Sequence, residues 1–233
     1  MKLSVIIPVY NEKNTVAMVA REALAVALPE PLKREILIID DGSTDGTNDE
    51  LKQFQSDPRV KIFLNEKNQG KTAAVRLGIQ HATGDIILFQ DADLEYSPAN
   101  YPDLLAPILN HRADVVYGSR FLGKIQNMTW INRLANKISM LTINLLYGSQ
   151  ITDFHTCFKV LKKEILTQIP ITSKRFSFDT EITARLLKKG YTIYEVPINY
   201  IARSKVEGKK ITWGAALETY FFLLKYWFFP EKD

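Results

Sequence analysis

One cysteine, Cys157, stands in a chain of 233 residues, so no internal disulfide can hold the fold together, which fits a reducing compartment. The three histidines, His81, His111 and His155, are far apart in the chain and the single cysteine cannot supply the usual paired ligands, so a zinc site is not expected. No uninterrupted apolar run of about 18 residues occurs, so no membrane-spanning helix is expected. The opening apolar stretch ends at Pro8, too soon for the core of a signal peptide. Basic runs interleaved with aromatics are missing, and nucleic-acid binding is not expected. No Gly-x-Gly-x-x-Gly follows the first apolar run, which argues against a dinucleotide fold. Gly70-Lys71-Thr72 resembles the end of a P-loop, but Asn65 stands where that motif needs glycine.

What remains is an ordinary globular composition, 46% hydrophobic and 24% charged, long enough for one sizeable core. The formal charge of +4 is a mild basic excess, compatible with phosphate ligands or an anionic membrane surface as well as with plain solubility.

Through the first half, short β-rich runs alternate with helical patterns. Strands are expected at 3–9, 36–39, 60–64, 85–89 and 115–117. Helices are expected at 15–28, from 47 to about 55, at 71–82 and around 104–109. Such alternation implies a mostly parallel sheet covered on both faces, with ligands beyond the carboxyl ends of its strands. Four polar turns fall there: Tyr10 to Glu12, Asp40 to Ser43, Asp91 to Glu95, and Gly118 to Arg120. After residue 125 the pattern gives a long helix at 130–147, a strand at 158–161, a helix at 180–189, a strand at 192–201 and an aromatic helix at 211–229. With no linker, residues 1–210 read as one α/β domain, with 211–233 as a C-terminal amphipathic helix.

Asp91-Ala92-Asp93 carries the chemistry. In extended chain, positions i and i+2 point the same way, so the two carboxylates can face one point, and Glu95 can join them if extension continues. Carboxylates without His or Cys suit Mg²⁺ or Mn²⁺. Lys71 and Arg120 are candidates for phosphate contacts, and Arg133, Arg203, Lys205, Lys209 and Lys210 are further ones. Asp179, in Asp179-Thr180-Glu181, reads first as a helix-opening acid and second as a general base; Asp153 raises the same question. Trp213, Leu217, Tyr220, Phe221, Leu224, Tyr226, Trp227, Phe228 and Phe229 suit the membrane interface, packing on the domain, or a contact between two copies of the chain.

Taken together, Ser4 to Glu12, Ile39 to Thr47, Asn68 to Lys71, Gln90 to Glu95 and Gly118 to Arg120 resemble the GT-A glycosyltransferases of family 2, in particular the dolichyl- and polyprenyl-phosphate sugar synthases. The resemblance covers residues 1–210. It implies a nucleotide pocket lined by Pro8, Tyr10 and Glu12, base contact by Asp40 with Asp41 close by, and metal ligation by Asp91, Asp93 and Glu95. It further implies that Arg120, Arg133 and Arg203 hold the donor and acceptor phosphates. The expected reaction is inverting transfer of a hexose from a UDP- or GDP-sugar donor to a polyprenyl or dolichyl phosphate, with Mg²⁺ or Mn²⁺, at the cytoplasmic membrane face. The alternatives are a soluble transferase acting on a sugar or peptide hydroxyl, which would use Asp179 or Asp153 as base, and a nucleotidyltransferase.

Overall fold

The structure is a computed structural model, and it describes residues 1–173, 177–203 and 213–229, with 213–218 as backbone only. Lys205, Lys209, Lys210 and the side chains of Trp213 and Leu217 lie outside that description. The strands are β1 (Lys2–Val9), β2 (Lys33–Asp40), β3 (Val60–Leu64), β4 (Ile86–Phe89), β5 (Val115–Ser119), β6 (Ile125–Gln126), β7 (Lys159–Lys162), β8 (Ile193–Pro197) and β9 (Tyr200–Ile201). The helices are α1 (Val16–Ala25), α2 (Thr47–Leu51), α3 (Lys71–His81), α4 (Tyr101–Leu109), α5 (Trp130–Tyr147), α6 (Lys163–Leu166), α7 (Phe178–Lys188) and α8 (Trp213–Phe228).

Seven strands form one sheet in the order β3-β2-β1-β4-β7-β5-β8. The β3-β2-β1-β4 half and the β5-β8 pair are parallel. β7 runs antiparallel between β4 and β5, an exception that simple alternation does not anticipate. Period-two alternation divides the core between the two faces. Leu3, Val5, Ile7 and Val9 of β1 join Ile36 and Ile38 of β2 beneath α1 and α4, while Ile6, Leu37 and Ile39 face α3, α5 and α7. α3 lies so close to β1 that a side chain at Gly78 would meet Ile6 at 2.5 Å.

Two expected elements differ for identifiable reasons. α1 stops at Ala25 rather than 28, because the Arg34 guanidinium takes the carbonyls of Ala23, Leu24 and Val26 and caps the helix before the prolines. The strand expected at 192–201 is broken after Pro197. Gly123 crosses directly over Ile198, where even a Cβ would lie 1.9 Å from the Ile198 carbonyl. Beyond that crossing the chain leaves the main sheet and pairs with β6 as β9, which carries residues 200–203 back over the carboxyl ends of the strands.

α8 packs on the domain through Leu223 and Tyr226, both buried. Tyr147 Oη donates to the Leu223 carbonyl at 2.9 Å, and the Lys188 ammonium donates to the carbonyls of Tyr226 and Trp227.

Candidate active site

The site is assembled where β1, β2, β3 and β4 end and β7 begins. After β2, Asp40 Oδ1 accepts the Ser43 amide at 3.0 Å and shapes the turn. Asp41 accepts the amides of Gln69 and Gly70 and the Asn65 side chain, so it builds the loop that leads into α3. Asp41 thus lies beside Asp40, as expected, with both oxygens engaged in the loop and the residue buried. Pro8 lies two residues past the last β1–β4 pair, Ile6 with Phe89, where β4 asks for no amide donor. Pro8, Tyr10 and Glu12 are half-buried along this edge, and Ala92 is buried in the core.

Gln90, fully buried, secures the acidic loop: its amide donates to the carbonyls of Asp91 and Tyr96 and accepts from Tyr101 Oη. The loop does not stay extended. Leu94 has φ 62°, in the left-handed region unfavourable for a branched side chain. That turn removes Glu95 from the i, i+2 series. Glu95 instead accepts Tyr200 Oη and the Arg203 amide, each at 2.7 Å, and ties down the β9 strap. The expected third ligand is therefore a strap anchor. Among the described residues, no group of three His, Cys, Asp or Glu is placed to hold a metal.

Each remaining carboxylate of the pair meets a cation. Lys71, the first residue of α3, puts its ammonium 2.7 Å from Asp91 and 3.9 Å from Asp179. Arg203 contacts Asp93 at 3.1 Å and forks onto both oxygens of Glu12 at 3.0 and 3.2 Å. Burial, and then repulsion from Asp91 and Glu95, push the Asp93 carboxyl up to about 7 despite Arg203. Burial pulls on the Lys71 ammonium in the neutral direction, but Asp91 and Asp179 overcome it and hold the group firmly protonated.

Asp179 is not placed as a base. Its Oδ1 lies 2.5 Å from the fully buried Lys159 ammonium, which also donates to the Thr156 carbonyl. Burial works against its charge, yet Lys159 and Lys71 prevail and hold the carboxyl below the ordinary aspartate range. Asp153 is likewise engaged: it forks onto Arg120 at 2.7 and 2.8 Å and accepts the Arg120 amide. Glu195 in turn accepts the amides of Thr152 and Asp153. Arg120, expected to hold phosphate, is buried in this pair and stacks over Tyr200 at 5.0 Å, so it supports the strap from below. Arg133 lies exposed in the first turn of α5, and its side chain makes no hydrogen bond or ion pair with the other described site residues. The structure thus brings together Glu12, Lys71, Asp91, Asp93, Asp179 and Arg203, and leaves Arg133 apart. Tyr200, which donates to Glu95, and Lys159, which pairs with Asp179, are contacts that sequence reasoning passed over. A tyrosine or lysine in a strand carries no local mark of such a contact.

The donor set fits a hard cation. Among the described residues it offers two carboxylates with no His or Cys completing a ligand set, which would leave positions for water and phosphate oxygens, as Mg²⁺ usually requires.

A mixed sheet with an acidic pair at the end of its fourth strand is the GT-A glycosyltransferase fold. The model of the family described as "Glycosyl transferase family 2" matches residues 4–169, and the chain belongs to that family. It is 33% identical over 215 residues to the dolichol-phosphate mannosyltransferase of Pyrococcus furiosus, an alignment covering 90% of this chain and 59% of that protein. The chain therefore spans well under two thirds of that relative. Solved structures of glucosyl-3-phosphoglycerate synthase from Mycobacterium tuberculosis share the fold. The complex with Mn²⁺ and UDP-glucose has a TM-score of 0.77 at 18% identity, covering 99% of this chain and 80% of that one. The UDP complex has a TM-score of 0.76 at 19% identity, covering 99% and 82%.

Proposed function

We propose that this protein transfers a hexose, with inversion, from a nucleoside-diphosphate sugar to a polyprenyl phosphate. The observation that carries the reading is the Asp91/Asp93 pair at the end of β4, flanked by Lys71 and Arg203. Two carboxylates flanked by two cations would suit a divalent ion together with a diphosphate. The named activity of the Pyrococcus relative supports the lipid phosphate acceptor, and the Mn²⁺ and UDP-glucose named in the mycobacterial complexes support the donor and the metal.

A bound Mg²⁺ or Mn²⁺ would lie on Asp91 and Asp93 and supply neutralisation of charge developing on the leaving diphosphate. Lys71 and Arg203 add positive charge at the same place. Tyr200 and Glu95 hold the strap that carries Arg203, and Gln90 holds the acidic loop in register. A phosphate acceptor is already ionised at neutral pH and needs positioning rather than deprotonation. The bases on hand favour it. Asp179 and Asp153 are both committed to cations, and burial, followed by Arg120, pushes the His155 imidazole down to about 4, too weak a base for a sugar hydroxyl.

The outer faces of α5 and α8 fit a membrane-adjacent acceptor. Trp130, Ile131, Leu134, Ile138, Leu141 and Leu145 recur at helical spacing and are exposed, Leu145 by 81%. α5 contains Arg133 and Lys137 and no acid. Phe221, Leu224 and Phe228 of α8 are exposed as well. No helix among the described residues is long and apolar enough to cross a membrane. The proposed attachment is peripheral and cytoplasmic-facing, driven by apolar area and anionic lipid.

The test is a donor panel of UDP- and GDP-hexoses with Mn²⁺ and either a polyprenyl phosphate or a soluble sugar, read by product mass. Lipid-linked hexose with release of nucleoside diphosphate is expected. Product on the sugar hydroxyl alone would replace the acceptor assignment, and pyrophosphate release would indicate nucleotidyl transfer.

A further inference from the structure

Asp91 and Asp93 are not bare carboxylates. Each holds a cation of the chain itself, at 2.7 Å for Lys71 and 3.1 Å for Arg203. Neither cation belongs to the loop that carries the acids. Lys71 opens α3, across the Asp41-built turn, and Arg203 lies on the strap two residues past β9. Each can therefore part from its aspartate by side-chain rotation while Gln90 keeps the acidic loop in place. Each also has a second anionic neighbour, Asp179 at 3.9 Å for Lys71 and Glu12 at 3.0 Å for Arg203. With Glu95 turned onto the strap, the described part of this loop offers an incoming divalent cation Asp91 and Asp93, each already paired with a cation of the chain.

We propose that Lys71 and Arg203 are resident counterions for the metal: they occupy Asp91 and Asp93 in the metal-free protein and pass to the donor diphosphate when both ligands arrive. The inference rests on the diphosphate-donor reading above and adds a binding order to it. A metal alone must displace both cations and leave them without their aspartate partners. A diphosphate alone meets cations already held by acids. Arriving together, the two ligands exchange partners with the chain, each aspartate taking the metal and each cation taking phosphate oxygens. Metal and diphosphate therefore bind synergistically, and linkage makes the effect reciprocal.

The test follows free Mn²⁺ by electron paramagnetic resonance, and heat by titration calorimetry, with and without UDP or GDP. It uses the wild type, Lys71→Gln, Arg203→Gln and Lys71→Arg, each checked for a folded thermal transition. In the wild type, the nucleoside diphosphate is expected to tighten Mn²⁺ about tenfold or more. Removing a resident cation should tighten Mn²⁺ binding in the absence of nucleotide by about tenfold, and shrink the nucleotide's effect by a similar factor. Lys71→Arg, which keeps the charge, should restore wild-type Mn²⁺ affinity. Should Lys71→Gln not fold, Arg203→Gln makes the same measurement on Asp93. Unchanged or weaker Mn²⁺ binding without nucleotide in the folded Gln variants, while the wild type still takes up Mn²⁺ with UDP or GDP, overturns the counterion role and leaves the donor reading standing. A wild type that takes up neither nucleotide with Mn²⁺ overturns both.

Discussion

The two ends of the β3-β2-β1-β4 sheet handle buried charge in opposite ways. At the amino end, Glu35 is 3% exposed and has more partners than it needs: Ser4 Oγ at 2.6 Å, the Thr83 amide and hydroxyl, and the ammonium groups of Lys2 and Lys61. Burial opposes its charge, but these donors prevail and hold the carboxyl far below the ordinary glutamate range. At the carboxyl end, Asp93 shares its surroundings with Asp91 and Glu95 and is pushed up to about 7. One end is saturated with donors; at the other, among the described residues, Glu12, Asp91, Asp93 and Asp179 share the cations Lys71, Lys159 and Arg203. The first end satisfies its buried acid with donors of the chain, while the second crowds acids around shared cations, the kind of perturbed cluster expected at a site that takes up charge.

Breaking the carboxyl end should have the largest effect. Asp91→Ala or Asp93→Ala is expected to lower transfer by about 10²–10³-fold or more. Asp93→Ala should leave the melting temperature unchanged or raised because burial and repulsion already oppose its charge, whereas Asp91→Ala, which strips Lys71 of its nearest partner, should lower it. Product formation and scanning calorimetry on the same preparations check both halves. Asp153→Ala sharpens the comparison by striking a saturated charge pair that lies at the functional end. It leaves Arg120 buried without its partner and should cost about 3–5 kcal/mol in denaturant unfolding. Glu35→Ala should cost about 2 kcal/mol, because its lysines can turn to solvent, and should leave Mn²⁺ and nucleotide affinity unchanged.

The pH dependence of the metal-free protein should carry both signs. The Glu35 carboxyl is lowered in the fold, so its contribution is fully present above the unfolded value near 4.3 and is lost as pH falls below it. The Asp93 carboxyl is raised, so the folded state holds a proton that the unfolded state has released, and stability falls as pH rises from about 4 towards about 7. Melting temperatures in chelator should therefore decline on both sides. Glu35→Gln should shrink the acid limb, which Asp57, Asp179 and Glu181 also feed, and Asp93→Asn should shrink the neutral one, to which Glu195 also contributes. The smallest expected change is in membrane attachment: Leu141→Ser with Leu145→Ser should reduce sedimentation with anionic vesicles several-fold and leave the melting temperature almost unaltered, since both side chains are exposed. Equal binding to zwitterionic vesicles would remove Arg133 and Lys137 from the explanation.

Much of this was legible in the chain. The alternation of Leu3, Val5, Ile7 and Val9 with Ile6, and the apolar runs of β2 and β4, imply a sheet buried on both faces and place Asp40, Asp91 and Arg120 at strand ends. The helix at 130–147 is legible to the residue, because Thr129 and Gly148 mark its ends with a side-chain cap and a left-handed turn. Less legible was the fate of each charge. Glu95 follows Asp93 at the spacing that an extended chain would align, and the left-handed turn at Leu94 undoes it. Asp179 opens a helix as a cap or a base would, and is in fact the partner of two lysines.

The sequence by itself determined the strands and helices, the two buried faces and the edge where acidic turns gather, because periodicity and turn chemistry act over a few residues. Only the tertiary structure decided which charge meets which. Arg203 reaches Glu12 across 191 positions because the chain leaves the main sheet at Ile198 and returns as β9, and Arg120 meets Asp153 rather than solvent because α5 and the loop after it close over β5. Ion pairs form between whatever the fold brings within a few ångströms, and no local spacing records that distance.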